Sequence, residues 1–314
     1  KIWLAAAGQI FFTLSVGMGT IHCYSSYLRQ KDDIALNAMS AGWMNGFVEI
    51  VLGSAVVIPI AVGYLGLDWV VDNAGFMMAF KTMPFLFDQW GSVLSVVAGV
   101  AWFGLLFFAG ITSSLAMGTP WMGFVQDEFN WSKNKSALIL GFAILVMGLP
   151  TIFFFEKGVF DEYDYWTGTV SLVIFALAEV ILFAWVFGMD KGWKEITDGA
   201  DMRVPRFYRP IIKYITPLFI GIIFLSSLFK PLNGELSDWS LAFNSLINGN
   251  GWPWANDSII NQIFHINTGV QWVKEGILTN MFYIDMSRFF LLACFFALVA
   301  MVKVASNKRK KLAK

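Results

Sequence analysis

The sequence predicts an all-α fold, a polytopic bundle of helices that cross a membrane, and three observations carry that prediction. Of its 314 residues 57% are hydrophobic and 14% charged, a balance rarely met in a soluble globular chain. The apolar residues gather into runs long enough to cross about 30 Å of hydrocarbon. The first of these runs is interrupted by Gln9, Thr13, Ser15, Gly17 and Gly19, which a plain spanning helix does not need.

That first run covers 2–28. In hydrocarbon an unpaired backbone N–H or C=O costs several kcal/mol, so irregular backbone at that depth survives only against protein, water or a ligand. A broken helix with a binding site within Gln9–Gly19 is the reading. Gly17 and Gly19 alone could instead serve close helix packing, which leaves Gln9, Thr13 and Ser15 unexplained. The second span, 38–66, carries Asn45 and Glu49 one helical turn apart on one face. An ionisable residue inside a span is a functional candidate by default. Residues 73–90 are too short to cross and too apolar for an ordinary loop, so a helical hairpin resting on the protein is expected.

The third span, 92–126, aligns Ala109, Thr112, Ser113, Ala116 and Met117 at i, i+3, i+4, i+7 and i+8, one stripe on one face. Two hydroxyls and a carbonyl at adjacent turns form a hard oxygen cluster suited to an alkali cation, whereas back-bonding to the preceding turn is the plainer role of such hydroxyls. The remaining spans are 134–155, 165–188, 210–230 and 282–303. Glu179 in the fifth is read as structural. The connection 231–280 holds Asn248-Gly-Asn-Gly-Trp-Pro-Trp254 and an expected amphipathic helix over 259–278.

Seven crossings place the chain ends on opposite sides. Of the 22 Lys and Arg, sixteen fall on the side of the tail Lys308–Lys311, which assigns that side to the cytoplasm. The tail itself reads as a solvated stop-transfer cluster. Cys23 and Cys294 lie in apolar runs and read as small hydrophobes. With His22 and His265 they form no ligand cluster at metal spacing. Neither a hydrolase triad nor a phosphate loop is visible, so an enzyme is not expected, and nucleic acid is not an expected partner. The chain starts at Lys1, directly before its first span, and reads as a fragment.

Four motifs then carry a resemblance: Gly8-Gln-Ile-Phe-Phe-Thr-Leu-Ser-Val-Gly-Met-Gly19, Asn45-x-x-x-Glu49, Phe107-Phe-Ala-Gly-Ile-Thr-Ser-Ser114 and Asp161-Glu-Tyr-Asp-Tyr-Trp-Thr-Gly168. In that order they resemble transmembrane helices six, seven, eight and ten of the neurotransmitter:sodium symporters, the LeuT-fold family, in its bacterial amino-acid transporter form. The resemblance implies the second inverted repeat over 1–189, with two accessory helices, the long loop and the basic tail over 190–314, and helices one to five absent.

It also implies residue roles. Phe12, Thr13, Ser15, Met18, Ser113 and Met117 would line the substrate pocket. Thr13 and Asn45 would serve a first sodium ion; the Ala109 carbonyl, Thr112 and Ser113 would serve a second. Glu49, faced by Gln9, would stand where chloride-dependent members bind the anion. Asp164 and Asp161, with Phe160, would form the outer gate and vestibule, and Asp127 with Tyr27 the inner gate. The function implied is sodium-coupled symport of an apolar or aromatic amino acid, independent of chloride, in a bacterial inner membrane. A homodimer is left open. The alternatives are a transporter-like sensor that binds without transport and a purely structural bundle.

Overall fold

The computed structural model describes residues 2–29, 31–232 and 235–312. Lys1 and Lys314, which enter the charge count, lie outside them. Among the described residues six helices are long and apolar enough to cross a membrane: α3 Ile34–Leu65, α6 Ser92–Phe129, α7 Lys133–Phe153, α8 Val159–Thr197, α9 Tyr208–Leu228 and α12, Asn280–Leu312. The first run is instead two short helices, α1 Ile2–Thr13 and α2 Thr20–Ser25. Between them Ser15, Gly17 and Gly19 take φ of 57, 79 and 75°, left-handed values that no continuing right-handed helix can contain.

The helical hairpin expected over 73–90 is corrected in its bounds: its first arm, α4 Leu67–Asp72, lies before that range, and only α5, over 78–88, lies inside it. Buried Thr82 donates to the Asn73 carbonyl at 3.1 Å and closes the turn between them. The expectation for 259–278 is corrected. The helix α11 is Ile259–Phe264 only, because His265 turns left-handed at φ 49°. A hairpin of Val273–Lys274 and Ile277–Leu278 follows, turned at Glu275 and Gly276, both at positive φ as a tight primed turn requires. One further helix, α10 Leu236–Ile247, occupies the same connection. Helix α8 starts six residues before the expected 165, since Gly158 at φ 83° lets Val159–Tyr163 begin it.

The chain forms two compact units. One comprises 1–27, 120–195 and 204–314; the other 28–119 and 196–203. The core of the first joins Leu4 of α1, Val170 and Val173 of α8, Ile220 and Ile223 of α9, and Ile259 of α11. Gly8 allows that packing, because a Cβ there would lie 2.9 Å from the Thr169 Cα. The core of the second joins Ala61, Val70, Met83, Leu86 and Phe87, with Trp102 donating to the Ala79 carbonyl at 2.9 Å. Several spans carry π-helical turns, notably Phe47–Val57 in α3 and Asp164–Ser171 in α8. Such turns cluster at functional sites in other helices.

Candidate functional site around the broken helix

In the first unit, α1 presents two faces. Leu4 and Gly8 are buried, with Ala7 and Phe11 packed against the core. The opposite face, holding Ala5, Gln9, Phe12 and Thr13, is exposed within the unit. A cavity of about 570 Å³ lies over it, lined by Ile2, Ala5, Ala6, Gln9, Phe12, Asp164, Gly168 and Thr169. The fold therefore brings Gln9 and Phe12 of the first motif to Asp164 of the fourth, across more than 150 positions of sequence. Gly168 matters for Asp164, because a Cβ there would stand 3.0 Å from the Asp164 Oδ1. The bare glycine leaves the carboxylate its place at the cavity.

At the break the backbone is re-satisfied in part by a side chain. Val16 donates to the Phe11 carbonyl at 2.8 Å and Ser15 to that of Phe12 at 3.1 Å. The Gly17 amide donates instead to Glu179 Oε2, at 3.1 Å. Glu179 Oε1 also lies 3.7 Å from His22 Nδ1, on α2. Glu179 thus touches both the joint and the helix beyond it, a structural role as expected, with partners that the sequence did not identify. An acidic residue in the fifth span, two helical turns beyond Leu172, was the available signal. Gly17 itself has no room for a side chain: a Cβ would meet the Leu172 carbonyl oxygen at 3.0 Å and the Phe175 Cβ at 3.2 Å.

The other expected residues take these places. Thr13, at the end of α1, turns its hydroxyl to the Gln9 and Ile10 carbonyls at 3.1 and 3.2 Å. Ser15 and Met18 are half-buried in the joint. Asp161 is exposed one turn before Asp164. Tyr27 is 77% exposed and Asp127 exposed. Its neighbour Glu128 is buried and pairs with Arg309, while Lys308 Nζ donates to the Glu128 carbonyl at 3.0 Å. The basic tail is therefore in part docked, not wholly solvated.

The second unit holds Asn45 and Glu49 on α3, both half-buried, and Ala109, Thr112, Ser113 and Met117 on α6, all exposed within that unit. Asn45 ends the α-helical part of its span and Glu49 sits in the first turn of the π-helical part. Thr112 donates to the Phe108 and Ala109 carbonyls at 2.9 and 3.1 Å, the plainer role weighed above. A hydroxyl that donates to its own helix keeps its lone pairs for a cation, so the bond is compatible with an alkali-ion ligand.

Comparison with known proteins gives a consistent picture. Residues 1–269 match the model of the sodium:neurotransmitter symporter family. The chain is 26% identical over 241 residues to an uncharacterized sodium-dependent transporter of Haemophilus influenzae, covering 73% of this chain and 50% of that protein. It is 29% identical over 236 residues to an uncharacterized sodium-dependent transporter of Methanocaldococcus jannaschii, covering 72% and 47%. With the sodium-dependent nutrient amino acid transporter 1 of Drosophila melanogaster it shares 27% identity over 258 residues, covering 76% and 40%. The chain spans about half the length, or less, of the curated relatives it matches.

Proposed function

The chain belongs to the sodium:neurotransmitter symporter family, and on that premise we propose that it is part of a carrier that moves an amino acid across a membrane with sodium. Sodium and the amino acid are both cargo. The observation that carries the reading is the joint between α1 and α2, where three left-handed residues stop the helix beside a cavity holding Gln9, Phe12 and Asp164. The C-terminal end of α1 carries negative dipole potential, which suits a sodium ion or an ammonium group.

In this reading Thr13 and Asn45 hold one sodium ion, and the Ala109 carbonyl with Thr112 and Ser113 holds a second. Phe12, Ser15, Met18 and Met117 line the cargo pocket, whose methionines suit an apolar or aromatic side chain. Glu49 supplies the negative charge that chloride supplies in other members, so transport is chloride-independent. Asp164 and Asp161 close the outer mouth, Asp127 and Tyr27 the inner one. Residues 1–189 are the second repeat of the carrier and 190–314 its two accessory helices, with the partner repeat supplying the rest of each site. The membrane is a bacterial inner membrane with the C-terminus in the cytoplasm.

The test is uptake by the whole protein in proteoliposomes. Amino-acid accumulation that requires an inward sodium gradient is expected. Binding with no uptake would identify a sensor, and uptake indifferent to sodium would overturn the reading.

A further inference from the structure

A second cluster of charges stands at the end of α8 that carries Asp164, on the side away from the cavity. Arg288 of α12 grips Glu162 of α8 with both branches of its guanidinium, Nε to Oε2 at 2.7 Å and Nη2 to Oε1 at 3.1 Å. Its third nitrogen, Nη1, donates to the Gln262 carbonyl at 2.5 Å and lies 3.4 Å from Asp285 Oδ1. The guanidinium also lies over the Trp166 ring, 5.6 Å from its centre, while Trp166 Nε1 donates to Glu162 Oε2 at 2.7 Å. Asp285 is held in turn by Trp272 Nε1 at 2.8 Å and stands 2.8 Å from His265 Nε2. The Arg288 and Glu162 side chains are each 16% exposed.

This is a built network of planar, bidentate contacts, the geometry for which arginine is suited and lysine is not. It ties α8, α12 and the 256–279 connection together at one turn of α8. That turn carries three carboxylates in four residues: Asp161, Glu162 and Asp164. Glu162 and Trp166 point into the network, whereas Asp164 and Gly168 line the cavity. Rotation of the α8 end about its axis is what would exchange these faces, and the Arg288 fork opposes that rotation.

We propose that Arg288 is a positioning residue for the gate: by clamping Glu162 it fixes the rotation of the α8 end so that Asp164 faces the cargo cavity, with Asp161 exposed one turn before it. The proposal rests on the reading of Asp164 as a gate. Arg288 does not line the cavity, so its loss is expected to act on capture of cargo from that side and to leave the later steps of transport unchanged.

In the whole protein reconstituted at equal amounts, Arg288→Gln is expected to raise the amino-acid KM about tenfold with kcat within about twofold, the signature of misplaced binding groups. Glu162→Gln should do the same, and the double variant should be no worse than either single one, since each removes the same clamp. Glu162→Gln, close in size to the native side chain, serves if Arg288→Gln does not insert. A clamp that only stabilises the fold would lower the amount of inserted protein and leave KM unmoved, and that result overturns the proposal. A parent protein without sodium-driven uptake would defeat the transport reading instead. The positioning claim is then read separately from thiol labelling of Asp161→Cys in a Cys23→Ser, Cys294→Ser background. Addition of Arg288→Gln should change the labelling rate by about fivefold or more, and an unchanged rate would overturn it.

Discussion

The Glu179 carboxylate accepts a hydrogen bond from the Gly17 amide at 3.1 Å, joining a side chain of α8 to the backbone of the break between α1 and α2. The two residues are 162 positions apart. Breaking a helix in hydrocarbon strands its amides, and a carboxylate from the neighbouring helix is a strong acceptor for one of them. The α8 span is therefore part of what keeps the break open, while α8 also carries Asp164, Gly168 and Thr169 to the cavity. One helix supports the joint and lines the cavity.

Removal of that acceptor should weaken the fold at the joint. Gly17 is only half-buried, so Glu179→Ala is expected to cost about 1 kcal/mol, the low end of the penalty for an unpaired donor. Glu179→Gln, which keeps an acceptor oxygen, should cost less. Thermal unfolding in detergent checks the order, and equal losses in the two variants would count against the hydrogen bond.

The place left by Gly168 gives a sharper probe of the gate. In Gly168→Ala the new methyl would lie 3.0 Å from Asp164 Oδ1, closer than ordinary contact, so the carboxylate must turn away. The expected result is a loss of about tenfold in kcat/KM for uptake with thermal stability nearly unchanged. Gly104→Ala, which meets nothing within 4 Å, is the matched control.

Glu49 permits an ion-swap experiment. Glu49→Ser removes the carboxylate from the first turn of the π-helical segment and leaves in place the backbone carbonyl to which Ser54 donates at 3.2 Å. Uptake by the variant should fall in chloride-free medium and recover when chloride is added. Uptake with the same anion response as the parent would remove the assignment.

Asp33 predicts a dependence on pH in the second unit. The Leu36 amide, and then the Asp201 amide at 2.8 Å, hold its carboxyl below the ordinary value of 3.8. A folded value lower than the unfolded one contributes stability above the unfolded value, which is lost as pH falls through the folded value. Residues 196–203, tethered through Asp201, should therefore resist proteolysis at neutral pH and become labile only below about pH 4. Asp33→Ala should be labile at both.

The spans, the break and the hairpin were legible in the sequence because each depends on local pattern. Hydrophobic runs set the spans, and Ser15, Gly17 and Gly19 set the joint. Glu179 was not legible as a partner of Gly17, because only the packing of α1 on α8 through Gly8 brings them together. The end of α11 at Phe264 was missed for the same reason: His265 abandons the helix to meet Asp285 of α12, a contact 20 residues away. The Arg288 network likewise joins three elements whose sequence distance hides it. Long-range polar contacts leave no periodic trace, whereas apolar faces do.

The central claim is that the broken helix and the α6 hydroxyls take sodium together with the amino acid, and a titration of amino-acid binding with sodium tests it most directly. In the whole protein, affinity for the amino acid should rise steeply with sodium and not with potassium. Thr112→Ala combined with Ser113→Ala should shift that rise to higher sodium. Binding that is the same in sodium and potassium, or a double variant that loses amino-acid affinity with its sodium dependence intact, would contradict the account.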